Sequence, residues 1–252
     1  MMKSSHTLHA TPEVLLDVLQ NLAHDPERPL RQGWAVVEGH KAVANLLRSG
    51  AMIGGIVSAG AAAITDQHID IHLSVQELTA LIGFDLRSPV IAIAPTADID
   101  LAAVKFPALV VNGVNDAVNM GAIVRTAAAL GVATVVRCSR SAHPYVRRAV
   151  RTSMGTCFLV KTAMADNLAS WIALCRSEGR TVVALETVDG APAVHNVDYA
   201  DAIVVGNEGQ GIDAAVLNAC SSVATIPMSH ENVSLNVAAA AAIGIDRLLL
   251  RR

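Results

Sequence analysis

Residues 203–211 read IVVGNEGQG, and residues 226–237 read IPMSHENVSLNV. The first is a buried strand running into a glycine-rich turn. Val204 and Val205 supply its β-branched run, while Gly206, Gly209 and Gly211 let the backbone bend and approach a ligand closely. In the second, Ile226-Pro227 ends another apolar strand, and a long helix opens with Ser234 as its N-cap candidate. Two adjacent strand ends of this kind make a pocket for a small molecule at the carboxyl edge of an α/β sheet. The glycines fit neither common nucleotide pattern. No Gly-Lys-Ser/Thr follows them, and their order is GxxGxG rather than GxGxxG.

Outward from this stretch, strands and helices alternate from Ala108 onwards. Strands are expected at Ala108–Asn112, Ala133–Arg137, Thr181–Leu185, Ala202–Gly206 and Val223–Pro227. Helices are expected at Gly121–Leu130, Pro144–Thr152, Leu168–Ser177 and Ala238–Leu249. Such alternation implies an α/β fold with a mostly parallel sheet covered on both faces.

The front of the chain reads as a smaller α/β domain. Thr11 caps a helix with Pro12 at its first position, and Trp34–Glu38, Ile53–Ser58, Ile69–Leu73 and Val90–Ala94 read as strands of a βαβ-like half. Ser74 and Glu77 form a capping box. Residues 1–94 are therefore taken as one domain, 95–107 as a proline-bounded linker and 108–252 as a second domain.

With 252 residues and 52% hydrophobic content, the chain can bury a sizeable core, although aromatics are only 3%. No apolar run is long enough to cross a bilayer, and the start lacks a signal-peptide core, so a cytoplasmic protein is expected. Cys138, Cys157, Cys175 and Cys220 show no CxxC pairing, and no metal site is expected. His68 and His72 share a strand face, but two ligands make a poor metal site. The net charge of −3 hides an asymmetry: residues 117–165 contain no Asp or Glu, yet hold Arg125, Arg137, Arg140, Arg147, Arg148, Arg151 and Lys161. A solvated helix face is the common fate of such a run; here it is read as a polyanion surface.

A third segment, residues 112–127 (NGVNDAVNMGAIVRTA), completes the pattern. Together the three segments resemble the SpoU/TrmH family of RNA 2′-O-ribose methyltransferases, of the SPOUT class. The phrase VVEGHKAVANLLRSG and the front organisation resemble the L30e-like RNA-recognition domain that often precedes the SpoU catalytic domain. The resemblance implies a trefoil knot, S-adenosylmethionine as cofactor and a homodimer with a shared active site. It implies methylation of a ribose 2′-hydroxyl in RNA, 23S rRNA ahead of tRNA. Asn119, Arg125, Glu208, Ser234 and Asn236 would carry the chemistry, and Leu185, Gly206, Ile226 and Leu235 would hold the cofactor. Ala117 departs from the family, which usually has proline there.

Each of these residues has a plainer reading in isolation: Arg125 as a surface salt bridge, Glu208 as a solvated turn residue, Ser234 as a cap, and Asn236 as a first-turn polar residue. His230 and Glu231 stand beside the third motif with no assigned role. Two other outcomes within the resemblance are an RNA-binding relative without turnover and an antibiotic-resistance rRNA methyltransferase. A nicotinamide-dependent oxidoreductase is disfavoured by the missing GxGxxG.

Overall fold

The computed structural model describes residues 10–59, 70–86, 88–229 and 234–249. The chain divides into two compact units, one of residues 1–97 with 145–159, the other of residues 98–144 with 160–252. His68, His230 and Glu231, named above, lie outside the described residues.

In the first unit, α1 (Pro12–Leu19) starts where Thr11 Oγ1 accepts from the Val14 N–H, and it buries Leu15, Val18 and Leu19. After α2 (Arg28–Arg31) come β1 (Trp34–Glu38), α3 (His40–Ser49), β2 (Gly55–Ala59), β3 (Ile71–Leu73), α4 (Val75–Ile82) and β4 (Val90–Pro95). The Ser74–Glu77 capping box forms in both directions at the head of α4. The sheet order is β1-β4-β2-β3, with β4 antiparallel to both its neighbours and only β2 and β3 parallel. Because β1 and β2 are both antiparallel to β4, they run in the same direction with α3 between them in the chain, so the expected βαβ-like unit forms with β4 inserted between its two strands. Leu15, Leu19, Leu22, Ile82, Ile91 and Ile93 fill the core. Residues 145–159, which carry α6 (Arg147–Ser153), pack within this unit. There Asn45 Nδ2 donates to the Met154 carbonyl at 2.9 Å.

The second unit holds β5 (Ala108–Asn112), α5 (Ala117–Ala129), β6 (Thr134–Cys138), β7 (Lys161–Ala165), α7 (Leu168–Ser177), β8 (Val182–Leu185), β9 (Ala202–Gly206), α8 (Ala214–Ala219), β10 (Ser222–Ala224) and α9 (Val237–Gly244). The chain continues from α9 as a π-helical stretch, Ile245–Leu249. The six strands are parallel in the order β10-β8-β9-β5-β6-β7. The chain runs outward from β5 through β6 to β7, then crosses to β8 and inserts β9 beside β5. The order in which the chain lays down strands therefore reverses between β5 and β9, and crevices at such points take ligands at the carboxyl ends of the strands.

Two elements, β7 and α8, escape the sequence pattern. In β7 the edge residues Lys161 and Met164 face solvent, so its apolar run is broken. Three helix starts also move, among them that of α6, which begins at Arg147 rather than Pro144. Asp116, not Gly121, marks the head of α5, its Oδ1 accepting from the Asn119 N–H at 2.8 Å. Ala117 then stands at the first helical position, where proline is tolerated, so the family's proline and this alanine serve the same geometry. At α9 the N-cap is Asn236, whose Oδ1 accepts from the Ala238 N–H at 2.9 Å, and not Ser234. Both residue types cap well, and the backbone turns helical only at Val237.

Candidate active site

The carboxyl ends of β8 and β9 and the segment after β10 surround a cavity of about 840 Å³. Leu185 closes β8, Gly206 closes β9, Ile226 follows β10 and Leu235 precedes α9. All four line this one cavity, as does Ser234. The wall between them is the turn 206–212, held by its own backbone: Asn207 and Gly211 exchange hydrogen bonds at 3.1 and 2.8 Å. Asn207 Oδ1 accepts from the Gly209 and Gln210 N–H groups, and Asn207 Nδ2 donates to the Gly113 carbonyl at 3.1 Å. A Cβ on Gly206 would lie 2.5 Å from the Gly211 carbonyl carbon, so this position admits only glycine without moving the turn.

Beside the cavity, three side chains from distant parts of the sequence join. Asn119, in the first turn of α5, donates through Nδ2 to Glu208 Oε1 and accepts at Oδ1 from Asn236 Nδ2 at 2.9 Å. Glu208 projects from the tip of the 206–212 turn, and Asn236 is fixed by its own capping bond. Placing Asn119 in the first helical turn is what lets it reach both partners. Helix α9 packs along α5, which brings Asn236 to it.

Arg125 stands apart from this chain. It lies six residues further along α5, about 9 Å up the axis and on another side of the helix. It is exposed, and among the described residues it has no ion pair or side-chain hydrogen bond. Neither the expected convergence with Asn119 nor the plain salt bridge is formed within one copy.

The acid-free run does not survive folding as a free basic face. Arg137 is 6% exposed in its side chain and pairs with Asp98 at 2.6 Å, and Arg140 pairs with Asp213. In the first unit, Arg147 pairs with Glu38 and lies 4.2 Å over the Phe84 ring, while Arg151 reaches Glu38 at 3.8 Å. The expectation of a polyanion surface from these five arginines is corrected in part: three carboxylates far away in sequence pair with four of them, Glu38 being shared by Arg147 and Arg151, while Arg140 and Arg151 stay exposed. Arg148 remains exposed, with no acid partner among the described residues.

Three contributors escaped sequence reasoning. Glu186 lines the cavity, with Oε2 accepting from the Ile212 N–H at 2.8 Å. Its one signal was an acid directly after an apolar strand. Asn112, 2% exposed, exchanges bonds of 2.8 and 2.9 Å with Asp213. With Cys138 and Arg140 they border a smaller cavity of about 180 Å³. Burial pushes the Cys138 thiol up, but hydrogen bonds with the Ser141 hydroxyl and the Gly113 N–H outweigh it and hold the thiol below its ordinary range. Burial pushes Cys157 and Cys220 up to about 12, which makes them inert. Among the described residues no three His, Cys, Asp or Glu side chains gather as metal ligands, and no helix is long and apolar enough to cross a membrane.

Comparison with known proteins agrees with this geometry. An "uncharacterized tRNA/rRNA methyltransferase" of Mycobacterium tuberculosis is 37% identical over 180 residues, covering 68% of this chain and 62% of its own length. The chain thus spans less than two thirds of that curated relative. Among solved structures, the SpoU methyltransferase AviRb from Streptomyces viridochromogenes, in complex with AdoMet, has a TM-score of 0.78 at 21% identity. That match covers 91% of this chain and 95% of AviRb. An RNA 2′-O ribose methyltransferase has a TM-score of 0.74 at 24% identity, with 94% of each chain covered. At such identities the likeness is one of fold. A family model, however, matches residues 107–246, more than half of the chain and every motif around the cavity; the chain belongs to the SpoU rRNA Methylase family.

Proposed function

We propose that this protein transfers a methyl group from S-adenosylmethionine to a ribose 2′-hydroxyl in RNA, as a cytoplasmic homodimer without a metal. The observation that carries this proposal is the Glu208–Asn119–Asn236 chain beside the large cavity, in a member of the SpoU family. The residues present suit the cofactor. The cavity of about 840 Å³ has apolar walls at Leu185, Ile226 and Leu235 for a heteroaromatic ring, and strand ends with backbone groups for its polar edges. AviRb, of the same fold, was solved with AdoMet.

When bound, S-adenosylmethionine supplies an electrophilic methyl group on a positively charged sulfur. The chain's own residues then have to align the ribose and manage its proton. A 2′-hydroxyl is far less acidic than any base working at neutral pH, so deprotonation accompanies attack. Asn119 and Asn236, locked to one another, set the position of Glu208 and of the substrate edge of the cavity, with Ser234 on the same wall. Arg125 is permanently charged, which suits it to hold an RNA phosphate and the developing oxyanion rather than to act as a base. Its exposed, acid-free position is what a residue serving the site of a second copy requires. The proposal includes a trefoil knot, with the C-terminal segment threading a loop and the cofactor bound within it. Generic chain-threading rules disfavour a knot, and family membership is what supports it.

The proposed substrate is 23S rRNA ahead of tRNA, with the L30e-like reading of the front unit favouring rRNA. The test is to map ribose methylation in rRNA and tRNA with and without the gene. One 2′-O-methyl mark should vanish and return with the wild-type gene. A lost mark on a base, or no lost mark together with no methyl transfer in vitro, would overturn the proposal.

A further inference from the structure

Two carboxylates, Glu186 and Glu208, line the large cavity, and among the described residues no lysine, arginine or histidine does. Glu208 is engaged by Asn119. Glu186 is held differently. Directly after β8, its N–H donates to the Ala224 carbonyl at 3.1 Å, and its own carbonyl accepts from Thr225 Oγ1 at 2.9 Å. Its Oε2 accepts from the Ile212 N–H at 2.8 Å and its Oε1 from the Thr187 N–H at 3.1 Å. An ionised carboxylate has about four acceptor sites, so two backbone donors leave it with capacity to spare. A negative charge is thereby fixed on the cavity wall, with no lysine, arginine or histidine among the described lining residues to cancel it.

Resting on the methyl-transfer reading above, we infer that Glu186 is a specificity-determining residue that biases the cavity toward the charged methyl donor over its neutral spent form. During transfer the methyl C–S bond breaks, its electron pair stays on sulfur, a C–O bond forms, and the hydroxyl proton passes to solvent. The sulfonium becomes the thioether of S-adenosylhomocysteine, so the bound cofactor loses one positive charge along with its methyl group. Loss of one buried methyl changes affinity only about fourfold. A fixed charge on the same cavity adds a further factor of about ten at a separation of about 12 Å and an effective dielectric of about 20, and more at shorter range. The site therefore favours release of what it has used.

The experiment is calorimetric titration of the full chain with S-adenosylmethionine and, separately, with S-adenosylhomocysteine, in wild type, Glu186→Gln and Glu186→Asp. Glu186→Gln should weaken the donor about tenfold and leave the spent form within about twofold. Glu186→Asp, which keeps the charge, should retain most of the wild-type ratio. Raising salt on the wild-type protein should narrow the ratio, a readout that stands even if Glu186→Gln unfolds. Equal losses for both ligands in Glu186→Gln, or a ratio indifferent to salt, would reduce Glu186 to a staple of the turn and overturn the inference. Binding of neither ligand by the wild-type chain would instead bring down the methyl-transfer reading, and the inference with it.

Discussion

The Glu186 carboxylate occupies the space that a side chain on Gly211 would need: a Cβ there would lie 2.6 Å from Glu186 Oε2. Gly211 also has φ +67°, in the left-handed region that favours glycine. The next residue, Ile212, gives its N–H to the same oxygen. The carboxylate thus positions the turn on one side and forbids a side chain on the other.

Gly211→Ala should therefore destabilise the protein by about 1–2 kcal/mol from backbone strain alone, with an added loss from the contact. It should also weaken cofactor binding. Adding Glu186→Ala removes the contact but not the strain, so the double variant should lose less than the two single losses summed. Thermal unfolding measures this, and strict additivity would show that the two groups do not meet. At Gly206 no such relief exists, because a Cβ would meet backbone atoms of Gly211 and Ile212. Gly206→Ala should lose cofactor binding and keep an unchanged far-ultraviolet circular dichroism spectrum.

Arg125→Lys should keep fold and cofactor affinity while methyl transfer falls by about a hundredfold or more, as for loss of an oxyanion donor. A lysine's point charge cannot hold a phosphate and a reacting oxygen together as a planar guanidinium does. Asn119→Ala should give a milder loss, since it unlinks Glu208 from Asn236 without removing a charge. Turnover on undermethylated rRNA, with cofactor binding in parallel, reads both. Near-normal turnover by Arg125→Lys would return that residue to a surface role.

Neighbouring arginines on α6 should behave in opposite ways. Arg147 pairs with a Glu38 side chain only 7% exposed, so Arg147→Ala leaves a buried carboxylate with only the longer 3.8 Å contact to the exposed Arg151 and should cost about 3 kcal/mol of stability. Arg148→Glu should leave stability within about 0.5 kcal/mol, as at other surface sites. If Arg148 contacts a phosphate, that reversal should also lower the salt slope of RNA binding by about one. Denaturant titration and filter binding at several salt concentrations separate the two effects.

His143 gives a pH dependence of defined sign. Burial and the Arg137 charge outweigh the attraction of Asp98 and push its imidazole from 6.5 down to about 4. Between these values the unfolded chain takes up a proton that the folded chain refuses, so stability should fall as pH drops from 6.5 toward 4. His143→Gln should flatten that slope in urea titrations. An unchanged slope would assign the window to other groups.

Much of the second unit was legible in the sequence because its central strands are continuous apolar runs bounded by glycine or asparagine. Gly206, Ile226 and Leu235 were picked out by motif and Leu185 by the resemblance, and the fold brings all four to the lining of one cavity. The edge strand β7 was missed, since a strand wetted on one side gives no continuous run. Glu186 was missed because its partner, the Ile212 N–H, lies 26 residues away and a backbone donor leaves no mark in sequence. The arginine run misled for the same reason. Local charge counting cannot see Asp98, Asp213 and Glu38 arriving from elsewhere.

The packing of residues 145–159 within the first unit has a consequence for how this chain can be cut or recombined. A single break in the proline-bounded stretch before Ala108 would strand Ala149, Val150 and Cys157, all buried, without the surface that covers them. A fragment beginning there should be sticky and poorly soluble. Exchanging front units between relatives requires three crossover points, after residues 97, 144 and 159, so that the stretch travels with the partner it was shaped against.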